Sequence, residues 1–166
     1  METGDPAEAE RLWGEGRVHL LRERDAEAVR GRLAALEGPV RLVYFTEGAS
    51  GLVIPGRECQ YCGETQRLLE DLTQCSALLT LEIHDRIADP EPFAAYGIDK
   101  VPGLAVVGAR DYGIRYYGIP AGYELATLLD IILDVGRGAT HLTPETRAAL
   151  VDLPRDMHVQ VLVTPT

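Results

Sequence analysis

The sequence predicts an α/β fold in which one mixed sheet is flanked by helices. The first supporting observation is the nearly continuous apolar run at 40–45, which is typical of a strand buried on both faces. The second is the order of strand and helix patterns along the chain, which runs β-α-β-α-β-β-α. The third is a pair of short apolar runs, 104–107 and 114–117, around a glycine-containing turn, which indicates a hairpin.

The other early elements follow from the spacing of apolar residues. Asp25 is expected to cap a first helix, which precedes the buried strand. After a long glycine-rich loop at 47–57, a second helix opens at 59–62. An alternating strand at 79–83 and a short helix at 91–96 come next.

A final amphipathic helix and a tail complete the predicted order. The apolar stripe of this helix consists of Leu125, Leu128, Leu129, Ile132 and Leu133. Beyond it, Thr143 and Pro144 start another helix, and residues 158–163 alternate as a strand. Residues 26–46 show the same order of helix, linker and strand, which indicates an internal repeat. Coincidence is the alternative, because short apolar strands are common.

Composition excludes several classes of protein. With 166 residues, of which 46% are hydrophobic and 25% charged, the chain suits a globular protein rather than a disordered one. The net charge of −10 argues against non-specific nucleic-acid binding, which depends on clustered Lys and Arg. No apolar run approaches the ~18–20 residues of a membrane helix. The acidic residues 1–10 lack the apolar core of a secretory signal, so a cytoplasmic protein without nucleic-acid or membrane partners is expected.

Cys59 and Cys62 form a C-x-x-C spacing at the predicted start of a helix. The N–H groups and the dipole at such a start stabilise a thiolate and can lower the pKa of a thiol well below its usual value. Cys59 is therefore expected to attack a disulfide, and Cys62, one turn later, to resolve the mixed disulfide. This exchange needs no bound cofactor.

Zinc binding is the competing interpretation of the motif. A structural zinc site needs four ligands, which often come as two C-x-x-C pairs. This sequence has one such pair, and neither Cys75 nor the four histidines show ligand spacing. Cys75 falls on the apolar stripe of the same helix and is expected as a small core residue. The sequence thus favours a redox pair and predicts no metal.

Several segments resemble a known family. The strand at 40–45, C-Q-Y-C at 59–62 and V-P at 101–102 before a strand follow the thioredoxin-fold pattern. The stretches D-Y-G-I-R-Y-Y-G-I-P-A-G-Y-E at 111–124 and V-Q-V-L-V-T-P-T at 159–166 are more specific. They resemble the protein disulfide oxidoreductases of thermophilic archaea and bacteria, also called glutaredoxin-like. Those proteins carry two thioredoxin units in tandem, each with its own C-x-x-C.

The resemblance covers roughly residues 20–166 and implies three parts. Residues 1–38 are expected to form an N-terminal helical extension, and residues 39–138 a thioredoxin-like domain. Residues 139–166 would be the first helix and strand of an incomplete second unit. The family's second C-x-x-C would follow almost directly after these residues. The chain is therefore expected to be a truncated product or a one-site relative.

The same resemblance implies roles for residues near the motif. The two cysteines match the attacking and the resolving cysteine of the family. Pro102 matches a cis-proline that presents the backbone of Val101 to a substrate peptide. Gln60 and Tyr61 lie between the cysteines and are expected to contact substrate and tune the redox potential. Glu82 is a candidate acceptor for the proton of the resolving thiol.

Together these observations predict a thiol–disulfide oxidoreductase. Its substrates would be protein disulfides or dithiols, and an outside reductase or thiol would supply electrons, with reductant, oxidant and isomerase roles all open. The rival interpretation is a non-catalytic thioredoxin-like interaction domain, or a truncated fragment. Its unpaired strand at 158–163 would join another chain and give a homo-oligomer.

Overall fold

The computed structural model describes residues 19–48 and 59–163. It contains a sheet of four strands, which are β1 (Val40–Thr46), β2 (Leu79–Asp85), β3 (Gly103–Val107) and β4 (Asp111–Tyr117). The strand order is β2-β1-β3-β4. β1 pairs parallel with β2 and antiparallel with β3, which pairs antiparallel with β4. The predicted mixed sheet is confirmed.

Helices flank both faces of this sheet. They are α1 (Glu23–Leu33), α2 (Cys62–Gln74), α3 (Glu91–Tyr96) and α4 (Tyr123–Arg137). A further helix, α5 (Pro144–Val151), follows in the tail. α1 begins before Asp25, so that residue lies in the first turn instead of at the cap. Its charge still suits the positive end of the helix. Gly138 ends α4 with a left-handed backbone (φ 64°), a conformation that glycine adopts readily.

Strand β1 is buried on both faces, which explains its nearly continuous apolar sequence. Leu42 and Tyr44 face the larger core, which the sheet shares with α1, α2 and α4. Val43 and Phe45 face a smaller core under α3. There Phe45 meets Phe93 edge to face, with ring centroids 4.9 Å apart. The sheet therefore needs helices on both sides.

Asp71 fastens the segment before α1 to helix α2. Its carboxylate is buried, with the residue only 1% exposed. One oxygen accepts hydrogen bonds from the backbone N–H groups of Leu20 (2.8 Å) and Leu21 (3.1 Å). The other lies 2.7 Å from Nδ1 of His19. These partners satisfy a carboxylate that burial would otherwise make costly.

The tail departs from the predicted order. Helix α5 forms as expected, and Thr143 caps it by accepting a hydrogen bond from the N–H of Thr146 at 3.2 Å. Residues 158–163, however, form no strand and lie exposed, so the strand predicted there is not found. A strand needs a neighbour for its N–H and C=O groups. The tail pairs with none among the described residues.

Two predicted features fall partly outside the described residues. Of the N-terminal extension at 1–38 the structure describes residues 19–38, which include α1. Of the loop at 47–57 it describes only residues 47 and 48. Within residues 19–48 and 59–163, none of the helices has the length and apolar composition needed to cross a membrane.

Replacing Asp71 with Asn is expected to lower the free energy of unfolding by about 2–3 kcal/mol, because an amide cannot accept from all three donors. Urea denaturation followed by circular dichroism measures the change. Asp130→Asn is the matched control, since Asp130 is an exposed partner of Arg32 on α4. The control should change the free energy of unfolding by less than about 0.5 kcal/mol. Equal effects would contradict the anchoring role of Asp71.

Candidate functional site

Cys59 and Cys62 are joined by a disulfide at the start of α2, with their Cα atoms 5.4 Å apart. Cys62 is the first residue of the helix, and its N–H donates to the carbonyl of Cys59 at 3.4 Å. The two residues differ in exposure, because Cys62 is 4% exposed whereas Cys59 is only half-buried. An incoming thiol therefore reaches Cys59 more readily. The positive end of α2 favours a thiolate at this position once the bond is reduced.

Hydroxyl groups lie behind Cys62, a feature that the sequence predictions did not include. The fully buried Tyr44 of β1 donates its hydroxyl hydrogen to the carbonyl oxygen of Cys62 at 2.7 Å. Thr46 and Thr65 are buried beside it. Burial raises the pKa of Tyr44 to about 12, although the two threonine hydroxyls act in the opposite direction. The available signal was the presence of Tyr44 and Thr46 in an otherwise apolar strand.

The peptide bond between Val101 and Pro102 is cis, as the resemblance implied. It immediately precedes β3, whose first residue, Gly103, is paired with Phe45 near the end of β1. The neighbouring residue in β1, Tyr44, donates to the carbonyl of Cys62, the first residue of α2. The Pro102 carbonyl accepts a hydrogen bond from the N–H of Gly118 at 3.0 Å. The sheet register and the contact of Tyr44 with Cys62 thus place the cis bond at the same end of the sheet as the disulfide.

Two solved structures are similar to this arrangement. One is a protein disulfide oxidoreductase from Aeropyrum pernix, with a TM-score of 0.69 and 27% identity over 82% of this chain and 56% of that one. The other is the NTD_N/C domain of alkylhydroperoxide reductase AhpF from Enterococcus faecalis. Its TM-score is 0.68, with 26% identity over 81% of this chain and 62% of that one. This chain spans less than two thirds of either. No family model and no curated protein matches it.

The chain has the thioredoxin fold. The resemblance to protein disulfide oxidoreductases, stated from the motifs alone, is confirmed by these neighbours. In this thioredoxin fold the bonded pair Cys59–Cys62 lies at the start of a helix. Together the pair and the neighbours support a redox dithiol.

Gln60 and Tyr61 occupy the turn between the two cysteines and are both exposed. Tyr61 is the residue just before α2, and its carbonyl accepts the N–H of Thr65 at 2.9 Å. Its ring is therefore held on a helix start while facing solvent. The two side chains are available to a molecule that approaches Cys59.

Glu82 is not placed to take a proton from Cys62. In the register of the sheet it is the partner of Val43, whose side chain faces the smaller core under α3. Helix α2 covers the opposite face of this thioredoxin fold. Glu82 instead binds Arg41 and His84. Burial tends to raise its pKa, but the hydrogen bonds from His84 and Arg41 outweigh burial and lower the pKa.

Cys75 is a core residue, as predicted. Its thiol lies within hydrogen-bond reach of the carbonyls of Asp71 (3.4 Å) and Ala26 (3.9 Å). Burial raises the pKa of this thiol, which keeps it protonated and inert. In the part of the chain that the structure describes, no cluster of three or more His, Cys, Asp or Glu side chains could hold a metal ion.

The buried hydroxyl of Tyr44 is expected to make the fold sensitive to alkali. A tyrosine whose pKa is raised by folding stabilises the protein below about pH 10, and this contribution is lost as the pH rises towards 12. Between pH 9 and 12 the wild type should therefore lose about 2 kcal/mol more unfolding free energy than Tyr44→Phe. Urea denaturation across this pH range measures the difference. Parallel pH profiles would contradict the burial argument.

Proposed function

We propose that the chain is a thiol–disulfide oxidoreductase that acts on protein disulfides through Cys59 and Cys62. The observation that carries the proposal is the bonded pair at the start of α2, on the sheet end that also bears the cis bond before Pro102. The fold is shared with a protein disulfide oxidoreductase from Aeropyrum pernix. Cytoplasmic location is part of the proposal, since reducing compartments keep such pairs cycling.

The reaction transfers two electrons between two pairs of sulfurs. The Cys59 thiolate attacks one sulfur of the substrate disulfide, which forms a mixed disulfide and releases the other sulfur as a thiolate that takes up a proton. Cys62 then loses its proton and attacks Cys59, so the second substrate sulfur leaves as a thiol. The substrate is reduced and the pair is oxidised. An external reductase or thiol restores the dithiol, and no cofactor takes part.

Val101, Pro102, Gln60 and Tyr61 are proposed to bind the substrate polypeptide. Val101 and Pro102 immediately precede β3, and an extended peptide could form backbone hydrogen bonds with Val101, which is partly exposed. Gln60 and Tyr61 face solvent beside the more accessible sulfur. The backbone at 101–102 would thus supply hydrogen bonds to the substrate, and the side chains at 60–61 would supply contact area.

An interaction role for the tail is the second candidate, and the exposure of its apolar residues favours it. None of the residues of α5 is buried, and beyond it Val161 is 80% and Leu162 is 94% exposed. We propose that residues 139–166 begin a second thioredoxin unit, as the greater length of the Aeropyrum pernix protein suggests. In this chain the same residues would pair with a second copy and give a homo-oligomer.

Replacing Cys59 with Ser is expected to lower the rate of insulin reduction by dithiothreitol to the uncatalysed rate, because the more accessible sulfur is lost. The turbidity of precipitating insulin chains measures the rate. Cys75→Ala is the matched control and should keep the wild-type rate, since Cys75 is a buried core thiol. Activity of Cys59→Ser equal to that of the wild type would refute catalysis by this pair.

Removing residues 140–166 is expected to convert an oligomer into a monomer. Size-exclusion chromatography with light scattering compares the truncated chain with the full chain. Val161→Asp with Leu162→Asp, in the full chain, should have the same effect, because charges oppose burial of this segment. An unchanged molar mass in both comparisons rejects pairing through the tail without affecting the proposed chemistry.

A further inference from the structure

Thr65 of helix α2 carries a buried hydroxyl without a hydrogen-bond partner. The residue is 1% exposed, and its Oγ1 forms no hydrogen bond within the described residues. Threonine in a helix commonly donates to a carbonyl three or four residues earlier. Here the carbonyl of Tyr61, four residues earlier, accepts the backbone N–H of Thr65, but it accepts no hydrogen bond from Oγ1. An unsatisfied buried hydroxyl is costly, so this one requires an explanation.

Thr65 lies one helical turn after Cys62, one of the two disulfide-bonded residues. Thr65 follows Cys62 by three residues, and side chains at this spacing are neighbours on one face of a helix. Both residues are buried. Tyr44 lies beside them, but it donates its single hydroxyl hydrogen to the Cys62 carbonyl. Tyr44 therefore has no hydroxyl hydrogen left to donate to Thr65 Oγ1, which receives no hydrogen bond.

The disulfide explains why that hydroxyl lacks a donor in this structure. In the oxidised pair the sulfur of Cys62 is bonded to Cys59 and carries no hydrogen. Reduction adds two electrons and two protons, which breaks the S–S bond and leaves Cys62 with an S–H group that can donate a hydrogen bond. This thiol of Cys62 would lie one helical turn from the hydroxyl of Thr65, which can accept its hydrogen.

We propose that Thr65 accepts a hydrogen bond from the Cys62 thiol in the reduced protein and thereby stabilises the dithiol relative to the disulfide. The proposal rests on the redox role of the pair proposed above. Oxidation would leave the hydroxyl unsatisfied, and reduction would satisfy it. When Cys62 loses its proton to attack the mixed disulfide, the same hydroxyl can turn and donate to the thiolate. Thr65 would then act on both the equilibrium and the resolving step.

The test is the equilibrium between the protein and glutathione. Glutathione disulfide oxidises the dithiol and becomes two molecules of glutathione, and the fraction of reduced protein is read by thiol alkylation and mass spectrometry. Thr65→Val keeps the shape of the side chain but removes the hydroxyl. This variant should favour the disulfide about tenfold more than the wild type. Thr65→Ser retains the hydroxyl and should stay within about twofold of the wild type.

Thr73→Val provides the control on the same helix. Its hydroxyl donates to the carbonyl of Glu70 at 2.8 Å, far along α2 from the disulfide. This variant should leave the equilibrium constant unchanged, whatever it does to stability. Thr65→Ala, which removes the hydroxyl with a smaller side chain, should shift the equilibrium in the same direction as Thr65→Val.

The results distinguish the two proposals. If the wild type cycles reversibly but the Val and Ala variants match it, the inference about Thr65 is overturned and the proposed function stands. A shift in Thr65→Ser as large as that in Thr65→Val also overturns it, because packing would then be the cause. If the wild-type pair cannot be reduced and reoxidised, the proposed function fails and the inference fails with it.

Discussion

Burial of strand β1 on both faces is the constraint on which the site depends. On one face Tyr44 reaches the first carbonyl of α2 and holds the start of that helix against the sheet. On the other face Phe45 packs under α3. The antiparallel pairing of β3 with β1 brings Val101 and Pro102 to the same end. A polar or smaller residue in β1 would therefore disturb the helix start and the cis-proline segment together.

The two sulfurs differ because the fold surrounds them differently. Cys59 precedes the helix and remains accessible, whereas Cys62 starts the helix and is covered. The positive end of α2 favours negative charge at the accessible sulfur. Tyr44 donates to the carbonyl of Cys62, and the proposed role of Thr65 is to accept from, or donate to, the sulfur of Cys62 as its protonation changes. One helix start thus provides separate environments for attack and for resolution.

Sequence patterns predicted the sheet, the helices and the cysteine pair because these depend on local periodicity and spacing. They failed where the structure of a segment or the position of a side chain depends on residues distant in the chain. Residues 158–163 alternate as a strand does, but alternation cannot supply the neighbouring strand that pairing requires. Glu82 was chosen by residue type, whereas the register with Val43 decides which face it occupies. The contact of Tyr44 with Cys62 depends on how α2 packs on β1, which no spacing in the chain reveals.

The attack of Cys59 on a protein disulfide is the central claim, and trapping the mixed disulfide tests it most directly. Cys62→Ser removes the resolving sulfur, so an adduct formed at Cys59 should persist. The reduced variant would be incubated with a disulfide-containing protein, alkylated and mapped by mass spectrometry. The account predicts a stable mixed disulfide at Cys59, with Cys75 unmodified because it is buried. Absence of an adduct at Cys59, or its formation at Cys75, would contradict the account.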